Sequence, residues 1–175
     1  MELRRDGRSC GRFGVSIAMP RVFAVSDLHT DYQRNLDWLR NLHASATQDD
    51  ILIVAGDVTH RLDRLEESLA ILKGKYAHVL FTPGNHDLWL EHGQRGGSAT
   101  SIDKLEQVFD VCDKLGVVRS SRKIDGVWFV PVLAWYHASW DREPGTWERA
   151  TPISKIMSDC EYRAATASAR CLLMG

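Results

Sequence analysis

Three polar clusters, each following a short apolar run, constrain this chain more than any other feature. They are Val25-Ser26-Asp27-Leu28-His29, Ala55-Gly56-Asp57-Val58-Thr59-His60 and Pro83-Gly84-Asn85-His86-Asp87. Asp57 follows Asp27 by 30 positions and Asn85 follows Asp57 by 28. One strand–helix–strand unit occupies ~30 residues. The same kind of cluster therefore arrives at the same end of three successive strands. That pattern predicts an α/β fold with a metal site on the carboxyl edge of its sheet.

The segments between the clusters support this. Arg21–Ser26, Ile51–Ala55 and His78–Thr82 are apolar runs without alternation, as in parallel strands buried on both faces. A first helix is expected from a cap at Thr30 or Asp31 to about His43, with Leu36, Leu39 and Leu42 on one face and Trp38 beside them. A second carries Leu62, Leu65, Leu69 and Leu72 and closes at Gly74. Such crossovers are right-handed and make the strands parallel. All three clusters then lie where open α/β sheets place their sites. A Gly-rich loop over 91–100 leads to a third helix, capped by Ser101, with Ile102, Leu105, Val108, Phe109, Cys112 and Leu115 in its stripe and Gly116 as its stop. Strand sequence follows from Val127 to Trp135, interrupted at Pro131. A weak helix is expected over 153–163. The domain boundaries are read as a disordered Arg-rich leader over 1–19, one domain over 20–160 and a low-complexity tail over 161–175.

The residue types in the clusters indicate the chemistry. Asp27 and His29 stand two apart on an extended turn and reach one ion from the same side. Asp57 has two carboxylate oxygens, enough to bridge two ions, and Asn85 offers an amide oxygen. Mixed Asp, His and Asn ligands suit Zn, Fe or Mn. Two such ions ~3.5–4 Å apart activate water and clamp a phosphate ester. His86 is then available as a general acid or to stabilise phosphoryl charge, with Asp87 orienting its imidazole. Taken singly, Asp27, Asp57 and Asn85 are also ordinary cap and turn residues. His60, His92 and His137 read as structural or solvent-exposed, and Arg61 and Arg95 as solvated.

Asp27-x-His29, Gly56-Asp57 and Gly84-Asn85-His86-Asp87, in this order, resemble the first three motifs of the calcineurin-like metallophosphoesterase family. The resemblance covers about Val22 to Trp135. It implies a layered α/β sandwich whose first half is the parallel βαβαβ unit, and a metal-dependent phosphoesterase. Asp27 and His29 would bind the first ion, Asp57 would bridge, Asn85 would bind the second, and His86 would be the catalytic histidine. The family pattern continues with a lone His and a Gly-His-x-His motif. Here no histidine follows His137. The second ion site and the second sheet are accordingly expected to be incomplete, and the chain to be a shortened form. The alternative function is a non-catalytic interaction or scaffold protein, or an inactive truncated isoform, on the same fold.

At 175 residues one domain is the default, and a net charge of -1 argues against a general nucleic-acid binder. No apolar run approaches the ~20 residues of a membrane helix. Cys10, Cys112, Cys160 and Cys171 show no close pairing, which suggests free thiols in a soluble intracellular protein. A cytoplasmic location is expected, with organelle targeting by the leader as the alternative. The expected partner is a phosphorylated small molecule or other phosphoester.

Overall fold

The structure is a computed structural model that describes residues 20–43, 48–91 and 99–134. The leader, His92, Arg95, His137, the helix expected over 153–163 and the tail lie outside the described residues. The strands β1 (Val22–Val25), β2 (Ile51–Ala55) and β3 (His78–Thr82) form a parallel sheet in the order β1-β2-β3. Val25 pairs with Val54 and Ala55 with Thr82, so the three strands end level. The three clusters therefore emerge at one edge, as their spacing predicts.

The helices α1 (Gln33–Arg40) and α2 (Leu62–Lys73) carry the two crossovers, and α3 (Ser101–Leu115) follows β3. Right-handed crossovers that advance across a sheet in one direction put their helices on one face. The core agrees. Leu39 of α1, Leu65, Leu69 and Leu72 of α2, and Val108, Val111 and Cys112 of α3 pack with Leu52, Val54, Val79 and Phe81. Those strand residues alternate along β2 and β3, so they share one face. Ile51 and Leu80 point the other way and meet Ile124, Val118 and Phe129. That second cluster is built by an antiparallel hairpin, β4 (Arg122–Ile124) and β5 (Val127–Phe129). Its two-residue turn puts Asp125 and Gly126 at φ of 47° and 86°, the conformation that favours Asp-Gly in hairpins. The sequence reading placed strand structure from Val127 onward and overlooked β4, although Asp125-Gly126 was its signal.

Three further expectations change. β1 is not buried on both faces: it is an edge strand, with Val22 and Phe23 51% and 37% exposed. Neither Thr30 nor Asp31 caps α1, which starts two to three residues later, after Tyr32. The Thr30 N–H and hydroxyl both bond the Val58 carbonyl, at 2.8 and 3.3 Å, so they serve the next loop instead. The cap of α3 is Thr100, whose hydroxyl accepts the Asp103 N–H while Asp103 accepts the Thr100 N–H, a reciprocal capping box. Gly116 does stop α3, at φ 65°. Cys112 is a free thiol, and burial pushes its pKa up to about 12. Among the described residues no helix is long and apolar enough to cross a membrane.

One side chain conflicts with this core. Lys104 on α3 is 1% exposed, and its Nζ has no hydrogen-bond partner among the described residues. The Glu91 carboxylate stands 4.0 Å away. Burial holds the ammonium below its ordinary 10.5, against the opposing pull of Glu91, Asp63 and Asp87. A buried, weakly paired cation destabilises a fold, and an apolar side chain of similar volume is often better. Lys104→Met is therefore expected to stabilise the protein by about 1 kcal/mol at pH 7 in urea denaturation. The unfolded chain holds this proton more firmly than the folded one, so wild-type stability rises with pH just below 10.5. The advantage of Lys104→Met should shrink over that interval; a pH-independent gain would contradict the assignment.

A candidate metal centre at the carboxyl edge of the sheet

Beyond the strand ends, the backbone keeps pairing. The Asp27 N–H bonds the Gly56 carbonyl at 3.1 Å, the His29 N–H the Asp57 carbonyl at 3.1 Å, and the Thr30 N–H the Val58 carbonyl at 2.8 Å. To follow this path Asp27, His29 and Asp57 adopt φ of 56°, 42° and 56°. Each costs roughly 1 kcal/mol or more in a residue with a Cβ. The cross-loop bonds hold them there. The second and third loops touch backbone to backbone. A Cβ on Gly56 would lie 2.6 Å from the Gly84 nitrogen, and one on Gly84 2.2 Å from Asp57 Oδ1. The two glycines are thus required by close approach, each making room for the other loop.

Asp87 locks this contact. It is fully buried, and its carboxylate accepts four backbone N–H groups: Asp57 and Gly84 on Oδ2, at 2.8 and 2.9 Å, and Val58 and Thr59 on Oδ1, at 2.8 and 2.9 Å. Burial pushes its pKa up to about 6, against the N–H donors, which pull it down. The carboxyl is then mainly ionised at neutral pH and acts as an acceptor. This corrects the expected role of Asp87 as the group orienting His86. Both lie in a single turn of 3₁₀ helix, His86–Leu88. At about three residues per turn, neighbouring side chains diverge by roughly 120°, so Asp87 turns inward while His86 turns to the site.

Asp27, His29 and Asp57 come together as predicted. Each presents one ligand atom, and the three atoms lie within 4.8 Å of one another. Two carboxylates beside an imidazole form a donor set that fits a divalent transition ion. Asp57 Oδ1 also accepts the His86 N–H at 2.9 Å, which aims the carboxylate. Asn85 precedes the 3₁₀ turn, and its carbonyl accepts the Leu88 N–H at 3.2 Å. His86 stands edge-on to His29, with ring centroids 4.8 Å apart, and packs against Trp89 at 3.9 Å. Burial holds its imidazole below the ordinary value; His29 and His60 add to this, while Asp31 and Asp57 oppose it. This favours the neutral ring at neutral pH.

Two residues in the site were not anticipated. Asp31, expected as a helix cap, faces His86 with Oδ2 3.8 Å from Nδ1. Its Oδ1 accepts the Thr59 hydroxyl at 2.5 Å and lies 3.2 Å from Nδ1 of His60. His60, expected to be structural, thus stands in the site. Together with His29, His86 and Tyr32, these residues line a cavity of about 320 Å³. The available signals were the run Asp27, His29, Asp31, which repeats a ligand type at every second position, and a second histidine three residues after Asp57.

Comparison with known proteins agrees with this geometry. The family profile described as calcineurin-like phosphoesterase matches residues 20–151. The [acyl-carrier-protein] phosphodiesterase PptH of Mycobacterium tuberculosis (strain ATCC 25618 / H37Rv) is 39% identical over 104 residues, which cover 58% of this chain and 31% of that protein. The crystal structure of phosphopantetheinyl hydrolase (PptH) from Mycobacterium tuberculosis is similar with a TM-score of 0.59 and 31% identity, over 87% of this chain and 51% of that one. The chain thus spans about a third of the curated relative's length and about half of the crystallised chain's.

Two substitutions test how the centre is built. Asp87→Asn keeps the shape but replaces one acceptor oxygen with a donor, leaving buried N–H groups unpaired. It should cost about 3 kcal/mol in chemical denaturation; a cost below about 1 kcal/mol would show that the four bonds matter little. Gly84→Ala drives a methyl group into Asp57 Oδ1. Manganese affinity by calorimetry should fall at least about tenfold, and unchanged affinity would mean that Asp57 does not hold the ion.

Proposed function

The chain belongs to the calcineurin-like phosphoesterase family, and from that premise we propose that it hydrolyses a phosphodiester in a metal-dependent reaction. The observation that carries this reading is the convergence of Asp27, His29 and Asp57 beside His86 at one edge of the sheet. Asp27, His29 and Asp57 would hold a first ion, and Asp57 and Asn85 would contribute to a second. Beside the first group, His29, Asp31 and His86 also present ligand atoms within 4.8 Å of one another. When bound, such ions supply an activated water and neutralise phosphate charge.

The chain's own groups do the rest. The cavity lined by His29, Asp31, Tyr32, His60 and His86 receives the phosphoryl group. Two roles were expected for His86. Protonating the leaving oxygen needs imidazolium, whereas donating an N–H to a phosphoryl oxygen does not. A ring kept neutral by burial suits the second. The Asp31 carboxylate, 3.8 Å from Nδ1, supplies countercharge as the ring becomes polarised. The diester preference rests on one relative, PptH of Mycobacterium tuberculosis, named both a phosphodiesterase and a phosphopantetheinyl hydrolase. Exposed Tyr32 at the cavity wall offers an apolar face to an organic arm of such a substrate.

The test is turnover of bis(p-nitrophenyl) phosphate and of p-nitrophenyl phosphate by the full chain with manganese. The diester should be the better substrate, a chelator should abolish turnover, and added manganese should restore it. His86→Ala should lower kcat by ~10²–10³-fold with metal affinity retained. A folded chain that turns over neither ester with any divalent ion would favour the non-catalytic reading instead.

A further inference from the structure

The cavity that receives the phosphoryl group holds a carboxylate and no permanent positive charge. Its lining is His29, Asp31, Tyr32, His60 and His86, without a lysine or an arginine. Sites built for a doubly charged phosphate recruit guanidinium or ammonium groups. Imidazoles donate hydrogen bonds without a permanent charge. Among the described residues the ionic neighbours of Asp31 are the rings of His60, 3.2 Å from Oδ1, and His86, 3.8 Å from Oδ2. Asp31 Oδ2 is buried and accepts no hydrogen bond from any described residue. The carboxylate is also held from behind. Its Oδ1 accepts the Thr59 hydroxyl at 2.5 Å, and the Thr59 N–H in turn bonds the Asp87 carboxylate at 2.9 Å. Asp31 therefore leaves the cavity only by giving up a bond that ties it to the fixed second loop.

We propose that Asp31 makes this cavity selective for singly charged phosphate and so sets the preference for a diester over a monoester; the assignment rests on the phosphoesterase reading. A diester carries one negative charge. A monoester approaches two at neutral pH, because its second pKa is ~6. Like charges a few ångströms apart repel appreciably where water is partly excluded, and the repulsion from Asp31 grows with the second charge. Asp27 and Asp57 belong to the set that an ion would offset, whereas Asp31 is not a member of it. The carboxylate acts on the product as well. In hydrolysis the water oxygen bonds to phosphorus as one ester P–O bond breaks, and a proton from the water passes to the departing alcohol. The monoester left behind releases its second proton above pH ~6 and gains the charge that Asp31 repels. One group thus discriminates against monoesters on entry and favours their departure.

The test uses the full chain saturated with manganese at about pH 8, where a monoester is a dianion. The ratio of kcat/KM for bis(p-nitrophenyl) phosphate to that for p-nitrophenyl phosphate should fall at least about tenfold in Asp31→Asn and in Asp31→Ser, and stay within about threefold of wild type in Asp31→Glu. A carboxylate that only steadied His86, or that held an ion, would slow both esters alike when removed. An unchanged ratio therefore overturns the proposal, as does an Asp31→Glu protein that behaves like the neutral variants. Sulfate, a dianion, and dimethyl phosphate, a monoanion, give a readout without turnover. By calorimetry sulfate should bind the neutral variants at least about tenfold more tightly than wild type, with dimethyl phosphate changing less than about threefold; equal gains for both anions, or none, overturn the assignment. Each variant is checked for a cooperative thermal transition and for manganese binding, and the second neutral variant keeps the test decisive if the first fails to fold. A chain that binds the two anions as described yet turns over neither ester retains the charge selection and loses the enzyme reading.

Discussion

The buried carboxylate of Asp87 is the contact on which this structure depends. After β2 the chain turns through Gly56 and Asp57 at positive φ, and three successive N–H groups, from Asp57 to Thr59, point inward. A run of converging N–H groups of this kind is an anion-binding nest. Here the anion comes from the chain itself, 30 residues on, and it also accepts the Gly84 N–H. One side chain therefore fixes the second loop against the third. The aim of Asp57, the close approach of Gly56 to Gly84 and the outward turn of His86 all follow from that attachment.

This separates two acidic roles that sequence adjacency had merged. Asp87 is next to His86 in the chain and faces away from it; Asp31 is 55 positions earlier and faces it. A tight 3₁₀ turn sends neighbouring side chains in different directions. Cross-strand pairing, in contrast, brings together residues that stand at equivalent distances past their strands. The first loop lies along the second because its N–H groups bond Gly56, Asp57 and Val58. Asp31 thereby arrives beside His60, and both arrive beside His86.

Much of the fold was legible because it depends on periodicity. The leucine stripes of α1 and α2, the parallel order of the strands and the level strand ends follow from spacing and crossover handedness. The exposure of β1 was not legible, since an apolar run reads alike in a central and an edge strand. The caps of α1 and α3 were misread by one or two residues. For Thr30 the reason is physical: its hydroxyl donates to the Val58 carbonyl and accepts the Ser68 hydroxyl at 2.9 Å, so it serves the neighbouring loop and helix instead of a cap. The convergence of Asp27, His29 and Asp57 was legible because Asp27 and Asp57 each stand two residues past a strand and His29 follows Asp27 by two. Asp31 and His60 each lie three or four residues further on, where loop pairing rather than strand position decides what meets what.

The resulting edge has two unlike parts. Around Asp87 each of the four converging N–H groups meets a carboxylate oxygen, so the loops are held by bonds among residues 56–87. Around His86 the opposite holds: among the described residues, Asp31 Oδ2, His60 Nδ1 and His86 Nδ1 are buried without a hydrogen-bond partner. A polypeptide that closes one polar network so fully leaves a neighbouring one open at a cost in stability. Such costs cluster where a ligand is meant to settle them, as backbone strain does at Asp27, His29 and Asp57. The strained residues and the unpartnered ones adjoin across the His29 and His86 rings, whose centroids are 4.8 Å apart. On physical grounds alone, the chemistry of this chain belongs on the open side of that boundary, and Asp87 exists to keep the boundary in place.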